Sequence, residues 1–245
     1  MRLVNAEYGI SLELDEIRAT ILVIEEKAMR LKIIEELYHQ YLGEEGNFVL
    51  SDGDQVLKIP KSVDVLLNPF SIDCNNRKVI ARLYQEIQNC GNEDFYSEKA
   101  KINSEILLLF DKMMLNVPYH ITTAMDFDWV DLCKLYHVQL EKTGDTLLEQ
   151  LMDYIRVMSQ LCECKVFILL NFMMYLNDEE RKHLYKFALY QKILLLFIEY
   201  FEPMLIADEK GCIIDKDGCI IDIGKDNLLH LPDVKFGENP DEFEV

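Results

Sequence analysis

Apolar residues follow two rhythms along this chain. Residues 19–25, ATILVIE, form an unbroken, partly β-branched apolar run, the pattern of a strand buried on both faces. After it, Ile34, Leu37, Tyr38 and Tyr41 recur on one side at helical spacing, so the strand leads into an amphipathic helix. Residues 43–46 end that helix, residues 47–51 read as a short strand, and Asp52-Gly53-Asp54 as a turn. Residues 63–69, VDVLLNP, supply a third strand.

From about residue 73 the rhythm becomes purely helical. Val79, Leu83 and Ile87 stand four apart within 75–88, and Ile102, Ile106, Leu109, Phe110, Met113 and Val117 form one stripe that ends at Pro118. A polar turn over 119–126 and a shorter helix near 129–137 follow. A last helix opens at Thr146, which with Glu149 makes a capping-box pattern, and runs through Leu148, Met152, Ile155 and Met158. Strand character returns at 165–171, KVFILLN. Asn177 and Glu180 open another helix, and 193–198 is again a continuous apolar strand. GCIID occurs at 211–215 and again at 218–222, a repeat that predicts a β-hairpin. These elements predict an α/β protein: a head with a mostly parallel sheet, residues 1–72 and 161–245, and an inserted all-α leg, residues 73–160.

At 245 residues, half of them apolar, the chain can bury a substantial core. Its start lacks the basic and apolar regions of a secretory signal. The longest apolar run, 166–176, is broken by Asn171 and falls well short of the ~20 residues that cross a bilayer. A soluble, cytoplasmic protein without membrane contact is expected. Seven irregularly spaced cysteines make a poor disulfide framework and read as free thiols.

Candidate chemistry is mostly excluded by the residues themselves. A phosphate loop after the first buried strand needs glycines, a lysine and a serine or threonine. The chain offers Glu25, Glu26 and Lys27 there, and two carboxylates would repel a triphosphate. Glu36 with His39 and Glu180 with His183 have di-iron spacing, but they flank sheet strands, and the first pair falls off the apolar stripe toward solvent. The hairpin brushes against an EF-hand loop. Aligning its glycine puts Ile213 where an aspartate belongs and Gly224 where a glutamate belongs. Cys162 and Cys164 lack a second cysteine pair for zinc, and no nucleophile–base pairing has a local signature.

Charge bears on nucleic acid. The formal net charge is −19, which opposes binding to a polyphosphate unless cations gather in one place. Residues 208–245 carry 11 acids and 4 bases, and the leg carries 14 acids and 9 bases. Within the leg, Arg77, Lys78 and Arg82 cluster on one helix, Lys99 opens the next, and Lys134 and Lys142 flank the short one. These cations read either as the wet face of amphipathic helices or as a DNA-binding set.

Several stretches together, ATILVIEE at 19–26, GDTLLEQLMDYIRVM at 144–158, KVFILLN at 165–171, YLNDEERKHLY at 175–185 and LLFIEYFEP at 195–203, resemble the ring-forming accessory protein of spacer acquisition in type II-A CRISPR-Cas systems. The likeness thins from about 85 to 125 and after 203. It implies a homotetrameric ring of α/β heads and helical legs that binds double-stranded DNA ends through a central hole without sequence preference, is not an enzyme, and works with the integrase complex and effector nuclease of CRISPR adaptation. It also implies a head similar to a P-loop NTPase core without its phosphate loop, and hence no nucleotide. A lysine of the family stands at the place of Lys134; Arg77, Lys78, Arg82, Lys99 and Lys142 come from clustering alone.

The family binds calcium through carboxylates in the leg. The matching turn here, 116–128, keeps only Asp126 and Asp128, too few for a cation taking about six to eight oxygens unless a neighbouring subunit contributes. Two other readings stand beside the ring: an acidic scaffold docking basic Cas partners, and a degenerate nucleotide-binding protein.

Overall fold

The computed structural model describes residues 1–223; residues 224–245, the end of the expected head segment, lie outside it. In chain order the elements are β1 (Arg2–Asn5), β2 (Ile10–Glu13), β3 (Ala19–Ile24), α1 (Lys27–Tyr41), β4 (Phe48–Asp52), β5 (Gln55–Leu57), α2 (Ile59–Ser62), β6 (Val63–Leu66) and α3 (Arg77–Asp94). They continue with α4 (Tyr96–Met114), α5 (Trp129–Leu135), α6 (Leu147–Cys162), β7 (Val166–Leu170), α7 (Asp178–Gln191), β8 (Leu194–Glu199), β9 (Glu209–Ile214) and β10 (Ile220–Ile223).

Six strands form the main sheet in the order β10-β9-β3-β8-β7-β6. Every neighbouring pair from β9 to β6 is parallel, and β10 returns antiparallel on β9. The strands expected at 19–25, 63–69, 165–171 and 193–198 are present as β3, β6, β7 and β8, shorter or shifted by a few residues at their ends, and these four are buried along their whole length. The GCIID repeat is the β9–β10 hairpin. Cys212 lies opposite Asp222, so Cys212 and Cys219 do not face each other, and both are free thiols.

Side chains alternate between two cores, as pleating demands. One face of the sheet, through Ile21, Phe167, Leu195 and Phe197, packs on α6 and α7. The other, through Leu22, Val65, Ile168, Leu196 and Ile198, packs on α1 and on a second sheet. That second sheet, β2-β1-β4-β5, is antiparallel throughout. It adds β1 and β2 within residues 1–18, where the apolar pattern predicted no element, and gives the strand expected at 47–51 its partners. Glu36, expected toward solvent, is half-buried: its carboxylate accepts from the Asn47 backbone at 2.7 Å and from Asn5 Nδ2 at 3.4 Å, tying α1 to the small sheet.

Both expected capping boxes close, Thr146 with Glu149 on α6 and Asn177 with Glu180 on α7. At the edge strand β6, Asp64 is 1% exposed and accepts hydrogen bonds from tyrosines of the helices on either side of the sheet, Tyr41 of α1 at 3.0 Å and Tyr154 of α6 at 2.9 Å. Burial raises the Asp64 carboxyl above the ordinary aspartate range, and the two phenols oppose that rise.

The helical segment is uneven in its attachment. α6 contributes six buried residues to the head's core, among them Leu151, Tyr154 and Ile155, and α3 contributes Val79. α5 packs on α3, with the Trp129 ring against Gly91; a side-chain carbon added at Gly91 would stand 2.5 Å from that ring. The two connections between head and helical segment are clasped by Asn75, whose side chain donates to Leu140 O at 3.0 Å and accepts from Leu140 N at 2.8 Å. α4 has no buried residue, and its apolar stripe of Ile102, Ile106, Leu109, Phe110 and Met113 is exposed in the single chain.

Candidate nucleic-acid interface

Parallel strands start at a common edge, so the residues immediately before β6, β7 and β8 line up side by side. The ladder extends below the strands themselves: Lys165 N donates to Ser62 O at 2.9 Å and Leu194 N to Lys165 O at 2.8 Å. Beneath this edge lies an open cleft of about 1180 Å³, walled by the β4–β5 hairpin, α2, the first turns of α3 and the end of α6.

Its cations are Lys58 and Lys61 around α2, Lys78 and Arg82 on α3, Lys165 before β7 and Lys192 before β8. Its acids are Asp15, Glu16, Asp52 and Glu163, and Asp15 is paired with Lys210. Six cations against four acids reverses the balance of a chain with 25 bases and 44 acids. Local sequence explains the placement. Lys192 ends α7 in the left-handed conformation, with φ 55°, and turns the chain directly into β8. Lys78 is half-buried, with Nζ 3.4 Å from Pro60 O and 3.5 Å from Cys164 Sγ. Burial lifts the Cys164 thiol to about 11, so it stands neutral beside the ammonium.

Of the residues expected for DNA, the structure brings Lys78 and Arg82 into this cleft. Arg77 lies around the corner, with Lys78 in a cavity of about 340 Å³ walled by Tyr38, Tyr41 and Tyr154. Lys99, Lys134 and Lys142 lie elsewhere. Lys99 is 16% exposed, bonded to Asp126 at 2.8 Å and stacked over the Phe127 ring. Lys134 pairs with Asp131 one turn back on α5, which raises its ammonium above the ordinary lysine value. Lys142 lines a separate cavity of about 280 Å³ with Cys74, Asp153 and Arg156. Lys58, Lys61, Lys165 and Lys192 escape sequence clustering because they are far apart in the chain. Their signal is positional: three of them stand one or two residues before a buried strand.

Among the described residues, both carboxylates offered for calcium are engaged by other partners. Asp126 is held by Lys99, whose hydrogen bond lowers its acidity range below that of an ordinary aspartate. Asp128 caps α5 by accepting from Val130 N at 2.8 Å and also accepts from Gln88 Nε2 at 3.0 Å. Among the described residues no group of three or more His, Cys, Asp or Glu side chains is placed to hold a metal ion.

At the strand–helix junction the chain supplies its own anion. The Glu26 carboxylate caps α1, accepting from Ala28 N at 2.9 Å and from Met29 N, and those donors hold its pKa below the usual glutamate value. A helix N-terminus binds phosphate through such N–H groups; here two of them are filled by Glu26. Among the described residues no helix is long and apolar enough to cross a membrane.

Comparison with known proteins bears on identity. A solved structure described as a putative ABC transporter (ATP-binding protein) from Pyrococcus furiosus aligns with a TM-score of 0.36 and 7% identity, covering 83% of this chain and 88% of that one. The CRISPR-associated protein Csn2 of Enterococcus faecalis is 23% identical over 188 residues, 74% of this chain and 83% of that protein. The family described as CRISPR-associated protein (Cas_Csn2) matches residues 40–218, which span β4 through the β9–β10 turn. The chain therefore belongs to the Csn2 family of CRISPR-associated proteins.

Proposed function

We propose that this protein is a non-catalytic, sequence-independent binder of double-stranded DNA ends, acting as a homotetrameric ring in the acquisition of new spacers, and that the basic cleft at the amino edge of the main sheet carries its phosphate contacts. The observation behind this reading is the inverted charge balance of the cleft in a chain of net charge −19. Lysine and arginine neutralise phosphates and release counterions, and they need no base contacts to do so.

Assembly enters through α4. Its exposed apolar stripe, continued by Val117 and Ile121, is a surface that contact with a second copy would bury. Closed symmetry would then repeat each cleft around the assembly. Glu26 supports a head that binds no nucleotide, since a triphosphate would have to displace a carboxylate of the chain itself.

The test compares linear duplex with covalently closed circles of equal length at moderate salt. Threading onto an end predicts that linear DNA binds and circles do not; equal binding contradicts the end preference. A second reading, an acidic scaffold that docks basic Cas proteins, is favoured by the excess of acids outside the cleft. It predicts that reversing Lys61 and Lys165 leaves partner assembly intact and that DNA binding is weak even in the native chain.

A further inference from the structure

The cleft has a candidate occupant within the same polypeptide. Residues 224–245 carry Asp226, Asp233, Glu238, Asp241, Glu242 and Glu244 against Lys225 and Lys235. Four of those acids fall within 238–244, with no base among them. The described chain delivers this segment to the correct edge of the sheet. β10 runs antiparallel to β9, and its last residue, Ile223, pairs with Gly211 near the amino end of β9. β9 is parallel to β3, and β3 to β8, so the chain leaves β10 on the same edge from which Lys165 and Lys192 project.

We propose that the acidic segment 226–245 docks into the basic cleft of its own chain and competes there with nucleic acid. The reach is ample. Strands lie about 4.8 Å apart, so β10 is roughly 14 Å from β8 and 24 Å from β6 along the edge. Fifteen residues, from Ile223 to Glu238, span up to about 50 Å when extended. Charge complementarity supplies the attraction: carboxylates of 238–244 meet Lys58, Lys61, Lys165 and Lys192 with Arg82 and Lys78 behind them. Tethering makes a weak contact sufficient, because covalent attachment through a short stretch of chain holds the segment at an effective concentration on the order of millimolar. DNA then binds only the fraction of clefts that the segment leaves empty. Its apparent affinity falls by that fraction, about 2- to 10-fold if the segment fills half to nine-tenths of them.

The docking itself does not depend on the DNA reading; only the competition does. Two measurements on the full-length chain separate them. First, zero-length carbodiimide cross-linking with peptide mass spectrometry, on a mixture of isotopically light and heavy chains, should give links from Glu238, Asp241, Glu242 or Glu244 to Lys61, Lys165 or Lys192 within one chain. These links should disappear in high salt. Links spread over lysines outside the cleft, or only between chains, overturn the proposal. Second, the full-length variant with Glu238→Gln, Asp241→Asn, Glu242→Gln and Glu244→Gln should bind linear duplex several-fold more tightly at low salt, the gain vanishing when Lys61→Glu and Lys165→Glu are added. Cross-links in the cleft without any DNA binding would leave the docking standing and defeat the proposed function. DNA binding with unchanged affinity in the neutralised variant would overturn the competition.

Discussion

Glu199 offers the most quantitative perturbation in the molecule. It ends β8 at 0% exposure; one carboxylate oxygen accepts from Met173 N at 3.0 Å, and the other has no hydrogen-bond partner among the described residues. Burial drives its pKa up to about 7, against the pull of the Met173 and Phe172 N–H groups and of Arg181. In an unfolded chain a glutamate titrates near 4.3. The folded state therefore holds the proton more tightly. The contribution to stability is fully present below about pH 4.3 and is lost as pH rises through about 7. A gap of roughly 2.7 units, at about 1.4 kcal/mol each, amounts to ~4 kcal/mol. Glutamine at 199 keeps an acceptor for Met173 N and carries no charge. Urea unfolding of both proteins at pH 5, 6, 7 and 8 should show Glu199→Gln gaining on the native chain by about 2–3 kcal/mol from pH 5 to pH 8, most of it below pH 7. The difference between the proteins, not either curve alone, carries the information, because self-repulsion of the acidic chain is common to both. A difference that stays constant from pH 5 to 8 would refute the argument.

Three further outcomes follow from the packing. Tyr154→Phe removes one of the two tyrosine hydrogen bonds to the buried Asp64 and should cost about 1.5–3 kcal/mol in denaturant unfolding; a loss under 0.5 kcal/mol would mean the β6 edge does not depend on it. Gly91→Ala forces the Trp129 ring off α3 and should destabilise by about 1–3 kcal/mol while shifting the emission of the chain's single tryptophan; an unchanged spectrum would refute the contact. Phe110→Glu places a charge on the exposed α4 stripe and should lower the mass measured by analytical ultracentrifugation without lowering the melting temperature. An unchanged mass would exclude α4 from the assembly contact.

Much of the head was legible because its signals are local. The buried strands are unbroken apolar runs, and the α6 and α7 starts are written in four-residue capping patterns. The small sheet was not legible, since β1, β2 and β5 are three or four residues long, too short for alternation to register. Glu36 looked solvent-facing because its tie to Asn5, 31 residues away, depends on the small sheet. Nor could the stripe on α4 be told from a core face, because periodicity reports an apolar side and not what covers it. The cleft residues divide the same way. Lys78 and Arg82 were found because they are neighbours on one helix. Lys61, Lys165 and Lys192 meet only because three parallel strands begin at one edge, a long-range consequence of topology. A rule that reads the residue before each buried strand would have found them.

Equilibrium binding of a fluorescent linear duplex, titrated over a series of salt concentrations with the native chain and with the Lys61→Glu/Lys165→Glu variant, tests the central claim most directly. Each neutralised phosphate contributes about −0.9 to the slope of log affinity against log salt. The cleft account predicts steep salt dependence for the native chain and, for the variant, much weaker binding with a slope shallower by about 2 for each cleft engaged. Equal affinity and equal slope for the two proteins would contradict it.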